Sequence, residues 1–313
     1  MKILVCPLNW GLGHATRCVP IIRQILDEGH EPVLVSDGFP LEFLRQEFSS
    51  LRYIVLPSYP IHYAAGNSQT GAMMRSFPAI VRGMIHEHRW LKKLLKTEQF
   101  DGVISDNRFG LWNRHIHSVY ITHQLMIKIP RGLKILEPLV WLIHRAFINC
   151  YDECRIPDTK ENGGLSGDLS HKYPLPHNAK FIGTLSRFQG MHHIIPNVDY
   201  DTIAVLSGIE PQRSILERSI IEQYRTAKHR TLIVSGQPQN SKQELQMGNI
   251  TLVSHLSDTE LASVILGCRH IVSRSGYSTI MDLAALNCLH KAEFIPTPGQ
   301  TEQEYLAFYL MNR

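Results

Sequence analysis

The chain has 313 residues, 43% hydrophobic and 19% charged, with a formal net charge of +4. That length is more than one core readily fills and suits two domains, and the composition is globular and excludes a disordered chain. No apolar run reaches the roughly 18 residues a membrane-crossing helix needs. The mild basic excess forms no long Lys/Arg tract and no recognised reading module, so no nucleic-acid partner is expected.

Lys2 to Leu8 is a continuous apolar run and reads as a buried parallel strand. It stops at the polar Asn9, too soon for the apolar core of a signal peptide. Asn9 to His14 is a glycine turn, and Ala15 to Glu28 carries a helical apolar face. Glu31 to Val35 predicts a second strand, Leu41 to Phe48 a helix and Leu51 to Leu56 a third strand. This alternation predicts a parallel sheet with right-handed crossovers. Pro57 to Gly71 reads as a loop, followed by a helix through about Thr97. Asp101 to Ser105 and Val119 to Thr122 read as strands ending in Asp106-Asn107-Arg108 and His123-Gln124. Leu133 to Asn149 is strongly apolar with cationic flanks, which fits either a buried core helix or a lipid-facing patch. A strand at Cys154 to Pro157, a Gly/Ser-rich loop over Asp158 to Lys172 and a strand at Lys180 to Gly183 close a first unit.

Thr184 to Tyr200 has no clear period and reads as the linker. Strands then follow at Thr202 to Leu206, Thr231 to Val234, Ile250 to Val253, His270 to Ser273 and Ala292 to Ile295. Helices are expected from about Pro211 to Ala227, at Asp258 to Leu266, at Tyr277 to Leu286 and from about Glu302 onward. The fold class is therefore α/β, with two facing Rossmann-like domains of parallel sheet, 1–187 and 188–313. Cys6, Cys18, Cys150, Cys154, Cys268 and Cys288 sit in apolar segments without a CxxC pair, which fits a reduced cytoplasmic protein.

Four turns carry chemistry. Gly11-Leu12-Gly13-His14 joins a strand end to a helix start; its glycines permit close approach of a ligand, and its histidine accepts a proton near neutrality. It lacks the third glycine of the dinucleotide fingerprint. Ser275, Gly276 and Ser278 offer hydroxyls and amides for a diphosphate, and Asp282 follows on the same helix, placed to take ribose hydroxyls. Glu302 and Gln303 open the last helix after a Pro/Gly loop and suit sugar hydroxyls. Ser207-Gly208 is a further strand-to-helix turn suited to phosphate. Each segment alone also fits plain helix capping. His86, His88, His115 and His117 have no identifiable third metal ligand and read as solvated.

Together these motifs resemble the GT-B glycosyltransferases, and most closely the group that contains the UDP-N-acetylglucosamine transferase of lipid II formation. The segment from Ser273 to Ala284, followed by Pro296 to Ala307, is the most specific part. The resemblance implies an acceptor-binding N-terminal domain and a donor-binding C-terminal domain. It implies His14 as general base beside the Gly11 and Gly13 turn. Ser275, Gly276 and Ser278 would lie at the diphosphate, Asp282 at the ribose, Glu302 and Gln303 at the donor sugar, His255 and Leu256 at the base, and Ser207 and Gly208 at the first turn of the donor domain. The activity implied is hexosyl transfer from a UDP-sugar, inverting, with neither metal nor cofactor. The acceptor is open between a lipid-linked compound and a saccharide, and peripheral contact with the inner membrane face is expected. Family members continue beyond this pattern, so the resemblance implies a C-terminal domain cut short. A UDP-sugar 2-epimerase and a nucleotide-sugar sensor without turnover share the architecture.

Overall fold

The computed structural model describes residues 1–58, 69–129, 131–191, 193–208, 210–237 and 242–312; most of the loop expected from Pro57 to Gly71 lies outside them. The first unit runs β1 (Lys2–Pro7), α1 (Leu12–Asp27), β2 (Glu31–Ser36), α2 (Gly38–Glu47), β3 (Tyr53–Val55), α3 (Gln69–Thr97), β4 (Gly102–Asp106), β5 (His117–Ile121), α4 (Glu137–Ile148), β6 (Glu153–Ile156), α5 (Asp168–His171) and β7 (Ala179–Phe181). Its strands form one sheet in the order β3-β2-β1-β4-β5-β6-β7, every pair parallel. Helices cover both faces. Val5 and Leu34 pack under Cys18, Ile22, Leu41 and Leu44 of α1 and α2. Leu4, Cys6 and Val33 pack on the other face with Leu91 of α3 and Phe100. Burial on both faces is why β1 reads as an unbroken apolar run, and each such fully buried aliphatic side chain contributes about 1.5–3 kcal/mol.

The second unit runs β8 (Thr202–Val205), α6 (Gln212–Tyr224), β9 (Thr231–Val234), β10 (Glu244–Met247), β11 (Ile250–Val253), α7 (Asp258–Gly267), β12 (His270–Ser273), α8 (Tyr277–Ala285), β13 (Ala292–Phe294) and α9 (Thr301–Met311). Its sheet order is β10-β11-β9-β8-β12-β13. Ser257 caps α7 in a reciprocal box with Glu260, so this helix starts where the Ser-x-x-Glu spacing dictates. A third apolar cluster joins the two units: Leu169 of α5 packs with Tyr277, Ile280 and Met281 of α8 and Leu306 of α9.

Three expectations need correction. The second sheet is not wholly parallel, because β10 pairs antiparallel with β11; this strand is mostly exposed, and its residues lack the apolar run that marks the others. Helix α1 starts at Leu12 and not at Ala15, which puts His14 in its first turn. Helix α4 is not a wholly buried core helix: only Glu137, His144 and Ile148 are buried.

Candidate functional site

In a doubly wound sheet, ligands bind where the strand order reverses, beyond the carboxyl ends of the strands. The first sheet reverses between β1 and β4, whose ends are paired as Pro7 with Asp106. The second reverses between β8 and β12, which end paired as Val205 with Ser273. The first switch point therefore presents the turn before α1 together with Asp106. The second presents Ser207-Gly208 and the Arg274-Gly276 turn.

Gly11 caps α1 with φ +112, a backbone region that favours glycine. Gly13 stands against the other unit: a Cβ there would lie 2.9 Å from Ser278 Oγ. Ser278 Oγ donates to Gly13 O at 2.8 Å. The first turns of α1 and α8 thus meet across the cleft.

His14 Nδ1 lies 2.7 Å from Asp106 Oδ1. A carboxylate only accepts, so the ring hydrogen belongs on Nδ1 and Nε2 keeps its lone pair. Arg17, one turn along α1, holds both oxygens of Asp106 through Nε and Nη2. Its Nη2 is also 2.8 Å from His14 Nδ1, but its hydrogen goes to the shared carboxylate oxygen. Burial opposes ionisation of Asp106, yet Arg17 and His14 outweigh it and hold the carboxyl down at about 2. Burial, and then the neighbouring Arg17 charge, lower the pKa of His14 below its ordinary value. The result is an oriented imidazole that stays neutral at neutral pH, which is what a general base requires.

The network continues into the second unit. Arg17 Nη1 donates to His123 Nδ1 at 3.1 Å, which leaves Nε2 to carry the ring hydrogen 2.7 Å from Glu302 Oε1. Gln124 Nε2 donates to the other Glu302 oxygen. The His123 ring stacks on Tyr277 at 4.1 Å, whose hydroxyl donates to Pro157 O at 2.9 Å. Burial opposes Glu302 ionisation, but His123, hydrogen-bonded to it, leads the groups that lower its pKa overall.

The remaining sequence candidates divide. Gly276 caps α8 with open space where a Cβ would stand, and Gly208 is likewise open. Ser207 is half-buried beside it. Ser275 Oγ donates to Gln303 O at 2.7 Å, and the Gln303 side-chain oxygen accepts from Thr297 N at 2.8 Å; both brace the loop before α9. Asp282 is engaged by Ser186 Oγ at 2.7 Å and Arg187 Nε at 3.2 Å, so it ties α8 to the segment between the sheets. Leu256 packs on the core of the second unit, and His255 Nδ1 lies 3.0 Å from Ser254 Oγ. Arg274 is buried and donates to the carbonyls of Gln212, Ile295 and Pro296, clasping the start of α6 to the loop that follows β13. Among the described residues no group of three His, Cys, Asp or Glu is placed to hold a metal.

No family profile matches the sequence, and no curated protein is significantly similar to it. Solved structures do match over nearly the whole chain. The calicheamicin glycosyltransferase superposes with a TM-score of 0.61 at 12% identity, covering 98% of this chain and 83% of its own. The kitacinnamycin glycotransferase gives 0.59 at 12% identity, covering 99% and 93%. UGT2 of Phytolacca americana, solved with UDP-2-fluoro-glucose and pterostilbene, gives 0.55 at 14% identity, covering 99% and 83%. The fold is GT-B.

Within this GT-B frame, His14 and Glu302, both expected from the sequence, are linked by Arg17, Asp106, His123 and Gln124, which no sequence motif singles out. The signal was present for two of the elements. Asp106 closes the strand beside β1, and His123-Gln124 follows β5, so both stand at carboxyl ends of strands. Arg17 lies three residues from His14, the spacing that shares a helix face. An arginine in a mostly apolar helix reads as solvated until its buried partner is known.

Proposed function

We propose that this protein transfers a sugar from a nucleotide-diphosphate donor, of the UDP class, to a hydroxyl acceptor. The observation that carries the reading is the His14–Asp106 pair at one switch point, facing the first turn of α8 from the other. Residues 1–187 would hold the acceptor and 188–313 the donor. His14 Nε2 takes the proton of the acceptor hydroxyl while its oxygen attacks the anomeric carbon. The bond from that carbon to the diphosphate breaks, and the nucleoside diphosphate leaves with the electron pair. Direct displacement of this kind inverts the anomeric centre.

Charge grows on the leaving diphosphate. The amides at Gly276 and the positive end of α8 are suited to receive it, with the Ser278 hydroxyl beside them, and no metal is required in such a scheme. Gly208 gives the second open turn for the same group. Glu302 would meet the donor sugar once the sugar displaces His123 or Gln124; Gln303 and Ser275 hold its loop. In this reading Asp282 reaches the ribose only by giving up Ser186 or Arg187, and Leu256 lines the base. That a GT-B neighbour was solved with UDP-2-fluoro-glucose and pterostilbene supports the donor class. Six free cysteines fit a reducing compartment such as the cytoplasm. The acceptor in this reading is a lipid-linked compound or a saccharide.

The test is release of nucleoside diphosphate. Purified protein is incubated with UDP-sugars and hydroxyl acceptors, and free UDP and glycosylated product are measured together. Stoichiometric product and UDP, lost in His14→Ala, is the expected result. Epimerised sugar with no acceptor consumed would overturn the reading.

A further inference from the structure

Arg187, in the segment between the two sheets, divides one guanidinium between two acids. Its Nε donates to Asp282 Oδ2 of α8 at 3.2 Å, and its Nη1 to Asp258 Oδ1 of α7 at 3.0 Å. Ser186 Oγ donates to Asp282 Oδ1 at 2.7 Å, so both oxygens of Asp282 are taken. Asp258 is served less well. Its Oδ2 is buried and has no hydrogen-bond partner among the described residues, a costly state for a charged group. Burial pushes both carboxyls above their ordinary range, and for each the Arg187 charge leads the opposing influences. One cation is stretched over two buried acids.

The backbone of Arg187 is pinned, while its side chain is not committed to one carboxylate. Its carbonyl accepts from Arg23 Nη1 of α1 at 3.2 Å, and Arg23 also pairs with Glu47 of α2. Its guanidinium lies over the Phe188 ring, 5.0 Å from the centroid. A guanidinium is a planar fork that fits a carboxylate with two parallel hydrogen bonds. Swinging about its fixed backbone, Arg187 can leave Asp282 and close on both oxygens of Asp258, which satisfies the bare Oδ2. The arginine thus has two seats: one shared between the acids, one on Asp258 alone.

We propose that Ser186 and Arg187 set the affinity for the donor by competing with its ribose hydroxyls for Asp282, and that Asp258 is the seat to which Arg187 withdraws when the nucleotide binds. This deepens the reading of Asp282 as the ribose contact and rests on it. The hydroxyls must donate to a carboxylate that already accepts from two groups, so they gain only the difference. Asp258 offsets part of that loss, because the displaced guanidinium pairs with it more fully. Ser186, Arg187 and Asp258 are positioning residues: they act on the donor only through Asp282.

The test is calorimetric titration of the full chain with UDP and with its dideoxyribose analogue, which lacks both ribose hydroxyls. The readout is the ratio of the two affinities, which a general loss of stability does not move. In Ser186→Ala the preference for UDP should rise about tenfold over the parent, the worth of one hydrogen bond to a charged group. In Asp258→Asn it should fall, because an amide offers Arg187 one acceptor atom and no charge. Adding Asp282→Ala to Ser186→Ala should erase the gain. Either single variant decides the question if circular dichroism shows that the other does not fold. A parent that binds UDP while the ratio stays unchanged in Ser186→Ala, or rises in Asp258→Asn, overturns this coupling alone. Binding of neither nucleotide by the folded parent overturns the proposed function and the coupling with it.

Discussion

His123 Nε2 stands 2.7 Å from Glu302 Oε1, so a loop of the first sheet holds the carboxylate that opens the last helix. The same imidazole accepts from Arg17, which grips Asp106. A continuous chain of hydrogen bonds and charges therefore runs from the proposed base to the proposed sugar contact.

This bridge makes Glu302 the most informative residue on the donor side. Glu302→Ala should weaken UDP-sugar binding by about 1.5–3 kcal/mol, the worth of a hydrogen bond to a charged group, and leave UDP binding nearly unchanged. Calorimetry with both ligands reads the difference. An equal loss for UDP and UDP-sugar would mean that Glu302 only braces the cleft.

His14→Ala should lower kcat by about 10²–10⁴, the usual share of a general base, with donor affinity retained. The pH profile carries the finer test. Burial and Arg17 both lower the His14 pKa, so kcat/KM should fall on the acid side only below the ordinary histidine value of about 6.5. Arg17→Gln removes a positive neighbour, favours the imidazolium and should move that limb to higher pH.

Asp106 is the counter-charge of Arg17 in a buried setting. Asp106→Ala should cost about 3–5 kcal/mol in urea unfolding, because the guanidinium is left buried and unpaired. For the parent protein, the Asp106 carboxyl is depressed to about 2 in the fold. Its contribution is thus fully present above the unfolded value of about 3.9 and is lost as pH falls toward 2. Acid unfolding followed by tryptophan fluorescence should lose that term in Asp106→Asn.

Gly13→Ala would set a Cβ 2.9 Å from Ser278 Oγ and 3.2 Å from its Cβ. The cleft must open by a few tenths of an ångström, so kcat should drop with little change in thermal stability. Ser278→Ala removes the nearer atom and should restore part of the rate. A double-mutant cycle on kcat measures the coupling, and strictly additive effects would deny the contact.

Much of the fold was legible because parallel strands covered on both faces leave unbroken apolar runs, as in Lys2 to Pro7 and His270 to Ser273. β10 was not, since an exposed edge strand carries no such run. At the site, His14 and Glu302 were legible because their turns are distinctive. Arg17, Asp106 and His123 were not, because their meaning lies in one another: the three are distant in sequence and acquire a role only when β1, β4 and β5 bring them together. Asp282 shows the converse. Its place on the first turns of α8 suggested a ribose ligand, and in the fold its carboxylate is engaged by Ser186 and Arg187, a pairing with a segment that has no periodic signature.

The central claim is a nucleotide-sugar site in the cleft. Calorimetric titration of the full chain with UDP-, GDP- and dTDP-sugars tests it most directly. The account expects saturable binding to the UDP class. Absence of binding to every member of the panel by folded protein would contradict it.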